Sequence, residues 1–362
     1  MKKIFLIFVI SSVLFIGLFA EETLEQNLSN LYQDVARGYT MPIVTGFGTS
    51  LNSGWFHSAS RSVTWGLDFE YGIVAMGSFF PSGESTFETD GNIRFGRNDC
   101  EVITSFLEGD SLAYIRDYLI ESIMAQDFLV EIFGPTIVGS SQDSIHIVFP
   151  EQDFIILIPD TNEEIPITVP EIILTTPVTG LLEELPMLPY FTIQLSIGTI
   201  YGTKFIFRFL PKSVNEDEMG NLKYFGFGVQ HNPNSWLKKE LPLDICASIY
   251  GQTLSIGGIL IVESTALGIN VSKTYGYKML NFIPYGGLML ENTVTKLKYD
   301  LLYQNFSGDW EVHKIRFEIE GENNTRLTLG VSFRLAILNA NFDYNIGKYN
   351  SISGGIGVAL TF

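Results

Sequence analysis

From Tyr190 to the C-terminus, apolar and polar positions alternate with a period of two, the signature of strands with two different faces. Phe191, Ile193, Leu195 and Ile197 alternate with Thr192, Gln194, Ser196 and Gly198. Phe205, Phe207 and Phe209 alternate with Lys204, Ile206 and Arg208. The same rhythm places Leu297, Tyr299 and Leu301 opposite Lys296, Lys298 and Asp300, and Ile315, Phe317 and Ile319 opposite Arg316, Glu318 and Glu320. Farther on, Leu327, Leu329 and Phe333 alternate with Thr328, Ser332 and Arg334. The last twelve residues, Ser351 to Phe362, set Ile352, Ile356, Val358, Leu360 and Phe362 on one face and Ser353, Gly355, Gly357 and Ala359 on the other. Turn signals fall at Tyr201-Gly202, Gly251, Asn292, 307–309, 321–324 and 347–350. About twelve strands follow Tyr190, each near the ~9–11 residues of a tilted membrane strand. A further strand spans 62–76, with Val63, Trp65, Leu67, Phe69, Tyr71 and Ile73 on one face.

This pattern predicts an all-β fold, a closed antiparallel transmembrane barrel whose last strand seals against its first. Even strand numbers are the rule for such barrels, so thirteen visible strands imply a hidden one between 80 and 185 and a total of about 14, with 12 or 16 as the neighbouring choices. Composition fits: hydrophobic residues make up 46% of the chain and mean hydropathy is +0.21, yet no apolar run after residue 20 is long enough for a spanning helix. A soluble sandwich also alternates, but it would have to bury inward-facing charge. The expected lumen charges are Lys296, Lys298, Asp300, Arg316, Glu318, Glu320, Arg326 and Arg334.

Three segments depart from the pattern. Residues 1–20, with Lys2-Lys3, an apolar run and Ala20 before Glu21-Glu22, are expected to be a cleaved signal peptide for export to the outer membrane of a Gram-negative-type bacterium. Residues 21–59 form the second. Thr23 to Gln26 resembles a capping box, Leu24, Leu28, Leu31 and Val35 fall at helical spacing, and Gly38 suits a C-cap. A Gly-rich irregular stretch from Tyr39 to Ala59 follows. This segment is expected either to plug the lumen or to pack as a periplasmic tail under the rim. The barrel, 60–362, is interrupted by the third segment, an insertion at 81–189. There Asp110 to Phe133 is expected to be helical, stopped by Gly134-Pro135, and a Pro-rich, turn-rich arm follows.

The formal net charge of −18 argues against nucleic acid as a partner. Cys100 and Cys246 are too few for a disulfide scaffold, and both are expected to be buried thiols, with a bridge between them left open. His57, His146, His231 and His313 stand alone, without a second ligand at metal spacing. Gly46-Phe47-Gly48 and Gly226-Phe227-Gly228 lack the third glycine of a phosphate loop, and no nucleophile motif is present. The chain is expected to be no enzyme and to hold no cofactor and no metal. His231 and Trp236, flanking Asn232-Pro233-Asn234, are expected to staple a loop.

Three stretches carry a resemblance: Tyr39-Thr40-Met41-Pro42 through Ser53-Gly54-Trp55-Phe56, Arg208-Phe209-Leu210-Pro211, and Phe225-Gly226-Phe227-Gly228-Val229-Gln230-His231 continuing to Leu241-Pro242-Leu243-Asp244-Ile245. They resemble an uncharacterised family of bacterial outer-membrane barrels, distantly similar to the long-chain fatty-acid (FadL-like) transporters. That similarity implies 14 strands and an N-terminal segment that moves to admit hydrophobic substrate. The insertion departs from it. Tyr39, Met41, Phe47, Leu51, Trp55 and Phe56 are the candidate substrate-path residues. Two functions are expected: a passive transporter or gated channel for small hydrophobic compounds, or a non-transporting structural or secretion-accessory barrel displaying the 81–189 arm to a partner. Expected partners are outer-membrane lipid, hydrophobic small molecules and the barrel-insertion machinery that would read the strand ending in Phe362.

Overall fold

A computed structural model describes residues 22–60, 65–97, 100–101, 104–106, 113–158, 163–183, 185–210, 222–237, 241–277, 279–304 and 310–361. The expected signal peptide and Phe362 lie outside them. In chain order, α1 (Glu22–Asn52) leads to β1 (Trp65–Phe79). The insertion holds β2 (Thr86–Ile93), α2 (Ala113–Met124), β3 (Phe128–Pro135), β4 (His146–Phe149), β5 (Gln152–Ile158), β6 (Glu163–Val169) and β7 (Ile172–Thr175). The remainder is β8 (Met187–Ile200), β9 (Thr203–Phe209), β10 (Leu222–His231), β11 (Asp244–Ile256), β12 (Leu260–Ser272), β13 (Tyr275–Tyr277), β14 (Leu280–Gln304), β15 (Trp310–Glu320), β16 (Thr325–Leu335), β17 (Leu338–Ile346) and β18 (Ser351–Thr361). The described residues divide into two compact units: 22–40 with 83–183, and 41–82 with 185–361.

The second unit is a closed antiparallel barrel. Among the described residues ten strands form its ring, in the order β1-β8-β9-β10-β11-β12-β14-β16-β17-β18 and back to β1. The closing pair runs in register from Asp68↔Thr361 to Ser78↔Ser351. The count of 14 is therefore corrected to ten, with β13 and β15 outside the ring. Three false divisions account for most of the difference. Gly251 and Asn292, two of the expected turn positions, lie inside β11 and β14, where the alternation continues through them. Gly251 opposes Phe227 and Thr265 in unbroken ladders. Residues 257–259 form the turn between β11 and β12. The third is the pair β15 and β16, one long strand interrupted at 321–324. β14 pairs with β15 through Val294↔Glu320 and with β16 through Leu290↔Thr325. Three residues thus oppose four, a bulge rather than a turn. No described strand of the insertion joins the ring, so the expected hidden strand is absent among the described residues. The number remains even.

Inner and outer faces are sharply different. Trp65, Leu67, Tyr71, Ile73, Phe225, Ile249, Leu267, Leu288, Leu329, Phe342 and Ile356 are exposed on the outside. Ser196, Gln230, Ser248, Asn270, Thr328, Ser332, Asn345 and Ser353 are buried inside. A ring so patterned leaves no free edge and presents hydrocarbon-compatible surface outward. No helix is long and apolar enough to cross a membrane among the described residues, which says nothing of crossing by strands.

In the first unit β2, β3, β4 and β7 form one sheet, and β5 pairs with β6. The expected helix from Asp110 to Phe133 is shorter. Of its described residues only Ala113–Met124 are helical, and Phe128–Pro135 is a strand in which Phe128, Val130 and Ile132 are buried while Leu129, Glu131 and Phe133 are exposed. That alternation overrides the helical spacing farther upstream. The first part of α1 belongs to this unit. Leu31 packs so tightly on Gly91 that a Cβ there would lie 2.8 Å from its Cδ1. Tyr39 accepts from Ile137 N–H through its backbone carbonyl at 2.9 Å and donates its hydroxyl to the Thr179 carbonyl at 3.0 Å. Burial raises the Tyr39 phenol well above its ordinary value.

Candidate functional site: the occupied lumen

Residues 41–60 lie inside the ring and traverse it. Gly38 does not end α1, and the expected irregular stretch is helical as far as Asn52, through Pro42, Gly46 and Gly48. Pro in a helix interior costs about 3 kcal/mol and Gly about 1 kcal/mol. Close packing offsets this, because a Cβ on Gly48 would sit 2.4 Å from Thr293 Oγ1. The path can be followed by contacts. Met41 and Val44 pack on Ile319, and Thr45 Oγ1 accepts from Glu322 N–H at 3.2 Å. Ser50 reaches Ser78 at 3.2 Å, and Ser53 Oγ lies 2.8 Å from Ser351 Oγ. Gly54, at a φ of +69°, fits against Val74 and Ser353 at the closing seam. Lower down, Ala59 N–H donates to Ser272 Oγ at 3.0 Å, and Ser60 donates to the Gly202 carbonyl at 2.5 Å.

Two arginines from the wall hold this segment where the helix ends. Arg208 Nη1 donates to the carbonyls of Ser53 at 2.8 Å and Leu51 at 3.4 Å, and its Nε donates to Gln194 at 2.8 Å. Arg326 Nη2 donates to the Asn52 carbonyl at 2.8 Å, while its Nε pairs with Glu291 at 2.5 Å. Terminal helix carbonyls have no intrahelical partner and carry partial negative charge, so a guanidinium beside them is doubly favoured. Glu291 also accepts from Asn323 at 3.0 Å. Asp343 accepts from Tyr285, Asn345 and Ser353 at 3.0, 2.6 and 2.7 Å. His57 Nε2 lies 2.9 Å from Glu70, whose other oxygen accepts from Asn339 at 2.5 Å. The inner face thus carries Lys204, Arg208, Arg326 and Arg334 together with Asp68, Glu70, Asp244, Glu291 and Asp343.

Of the candidate path residues, Tyr39 sits in the first unit. Met41 lies in the cluster with Ile319; Phe47 and Leu51 pack with Tyr224, Leu254 and Val262. Trp55 stacks on Tyr250 with centroids 4.8 Å apart, and Phe56 meets Tyr285 edge-on at 5.8 Å. The expected lumen charges divide differently. Arg326 is buried inside and Arg334 is half-buried on the inner face. Lys296, Lys298, Arg316, Glu318 and Glu320 are not lumenal: Ile319 and Thr295 face inward, so their alternate neighbours face out. Lys296 pairs there with Glu263 at 2.7 Å. The Asp300 side chain lies outside the described residues.

Lys204, Arg208, Asp68, Glu70, Asp244, Glu291 and Asp343 face the lumen and lie outside the expected set. Arg208 carried a usable signal, since Lys204, Ile206 and Arg208 occupy the alternate face to three phenylalanines. Cys100 and Cys246 are buried free thiols. His231 meets Trp236 in a tilted contact, with ring centroids 4.5 Å apart, across a short 3-10 turn capped by Asn232. Among the described residues no group of three or more His, Cys, Asp or Glu is placed to hold a metal.

Comparison with solved structures finds membrane barrels at low similarity. A loop-deletion mutant of OmpT, an outer membrane protein of Vibrio cholerae, shares 12% identity over 82% of this chain and 99% of its own, with a TM-score of 0.23. An anion-selective porin from Comamonas acidovorans shares 9% over 82% of this chain and 98% of its own, at 0.17. The FrpB iron transporter from Neisseria meningitidis shares 8% over 80% of this chain and 55% of its own, at 0.14. Scores this low bear neither on strand number nor on cargo. No curated protein matches the chain. A family model does, across residues 1–360, and the chain belongs to that family of unknown function, DUF6588.

Proposed function

We propose that this protein is an outer-membrane barrel sealed by its own N-terminal segment, which acts as a non-transporting anchor for the unit inserted between β1 and β8. The observation carrying this reading is the grip of Arg208 and Arg326 on the carbonyls of Leu51, Asn52 and Ser53. Withdrawing residues 41–60 would break these hydrogen bonds and leave buried guanidinium donors without their carbonyl partners, at about 1.5–3 kcal/mol for each charge-assisted bond lost. An apolar outer wall supports the membrane setting. So does a group of exposed aromatics at one end: Trp65, Tyr201, Trp236, Tyr275 and Tyr277. Such girdles sit at lipid–water interfaces. In this reading the protein is no enzyme, needs no cofactor, and meets outer-membrane lipid and the insertion machinery.

The transporter reading, with small hydrophobic cargo, shares the plug but requires it to move. The ten-strand ring leaves the 14 strands implied by the fatty-acid transporter resemblance without support. Planar-bilayer recordings decide between the two. The intact protein should pass no ions, and liposomes carrying it should take up a fluorescent fatty acid no faster than empty ones. The double variant Arg208→Ala, Arg326→Ala should show current. Uptake by the intact protein would overturn the anchor.

A further inference from the structure

The path of residues 41–60 has a direction. One end of the ring carries Trp65 at the start of β1, the Tyr201-Gly202 turn, the Ala336-Ile337 turn and Thr361. Ser60 and Ala59 are bound at that end, through Gly202 and Ser272. The opposite end carries Phe79, Met187, the 257–259 turn, Ser351 and the β14–β15 hairpin. Met41, Val44 and Thr45 are bound there, through Ile319 and Glu322. The chain therefore enters the ring at the hairpin end and leaves it at the end where β1 begins. Single-chain barrels keep short turns on the periplasmic side and long loops outside. Here the end with Trp65 has the two-residue turns at 201–202 and 336–337 together with the connections 232–243 and 273–279, and the other end has the insertion, by far the longest connection, and the long hairpin.

We infer that residues 22–40 lie on the outer surface of the cell, carried across the membrane within the ring, and that they are part of the exposed unit rather than a periplasmic tail. This rests on the anchor reading above. Three covalent connections between the units, at 40/41, 82/83 and 184/185, all leave the ring at the hairpin end. Within the first unit, Leu31 and Tyr39 pack on the insertion through Gly91, Ile137 and Thr179. Charge agrees. Residues 83–184 hold 20 acidic side chains and three basic ones, Arg94, Arg97 and Arg116, whereas the rest of the chain has 20 acidic and 19 basic. A body so acidic belongs in water, where its self-repulsion is solvated.

Single cysteines at exposed positions test this with a membrane-impermeant maleimide on cells bearing an outer membrane. Asp34→Cys reports the N-terminal segment, Asn324→Cys the hairpin end and Ile337→Cys the other end; all three residues are exposed. Cys100 and Cys246 are replaced by Ala. If that background fails to fold, the native one serves, since both thiols are buried. Asp34→Cys and Asn324→Cys should label equally in intact and permeabilised cells, and Ile337→Cys only after permeabilisation. Labelling of Asn324→Cys but not Asp34→Cys in intact cells would overturn the inference and leave the anchor standing. Labelling of Ile337→Cys alone in intact cells would overturn it by inverting the barrel. Absence of every variant from the outer-membrane fraction would remove the anchor reading itself, and this inference with it.

Discussion

The guanidinium of Arg208 lies 4.1 Å from the centre of the Trp55 indole, so one side chain binds the end of α1 by its carbonyls and Trp55 just beyond it by its ring. The indole in turn donates to the Leu51 carbonyl at 3.0 Å and stacks on Tyr250. Gly226 and Gly228 clear the space, since a Cβ at either would come within 2.9 or 3.2 Å of the indole. Trp55→Ala should lower stability by about 3–5 kcal/mol, as expected for emptying a fully buried aromatic site. Urea unfolding of the lipid-embedded barrel measures it. Trp55→Phe should retain much of the loss-free packing but give up the indole hydrogen bond. A change below about 1 kcal/mol for Trp55→Ala would mean residues 41–60 are only loosely held.

Arg326 and Glu291 form a buried pair whose members are 4% and 0% exposed. Arg326→Ala alone leaves Glu291 charged and unpaired, with an expected cost of about 3–5 kcal/mol. The double change Arg326→Met, Glu291→Gln should recover most of that. A double-mutant cycle of unfolding midpoints gives the answer. Failure to recover would show that the grip on Asn52, not the ion pair, is what matters.

The outer apolar band ends between Leu290 and Val294, because Leu288 and Leu290 are exposed on the same face that carries Lys296 and Lys298 farther along β14. Leu288→Arg should therefore destabilise the bilayer-embedded protein by about 2–4 kcal/mol if it lies near the midplane. Lys298→Leu should change stability within about 0.5 kcal/mol. Similar effects at the two positions would contradict the boundary.

In the first unit, Tyr39 titrates far later than a free phenol because burial disfavours its anion. A group whose pKa is raised on folding contributes fully below its unfolded value. That contribution is lost as pH rises through the folded value. Above about pH 10, the ordinary tyrosine range, this unit should weaken progressively. Tyr39→Phe should remove that part of the slope while costing about 1 kcal/mol at neutral pH through loss of the bond to Thr179. Parallel denaturation at pH 8 and pH 11 compares the two proteins.

Much of the barrel was legible because alternation reports directly on which side chains meet lipid and which meet the interior. β1 and β18 show it best: Leu67, Phe69, Tyr71 and Ile73 face out on one, Ile356 and Val358 on the other. What misled was turn chemistry inside strands. Gly251 sits on the outer face with open space around it, and Asn292 follows Leu290 on that face without breaking the ladder. Local residue type argued for a bend at both, and the pairing of neighbouring strands overruled it. α1 failed in the same way. Gly38, Pro42, Gly46 and Gly48 all argue locally for an end, but Gly46 and Gly48 answer to the walls of the lumen and Gly38 to Phe87 of the first unit. The exposed charges of β14 and β15 were misplaced because period two assigns two faces without saying which is inner. Only the ring, with Ile319 turned toward Met41 and Val44, decides that.

The closing seam carries a consequence for assembly. Asp68 pairs with Thr361 and Ser78 with Ser351, so the last contact of the ring joins the two extremes of the barrel sequence. Long-range pairings of this kind form slowly. Gly54 and Ser53 are already wedged against Ser353 and Ser351 at that seam. A wall of ten hydrogen-bonded strands offers no later side entrance to a segment whose far end bears a folded body. The wall must therefore be drawn shut around its contents, and synthesis of the C-terminal strand sets the earliest moment at which inside and outside become different places.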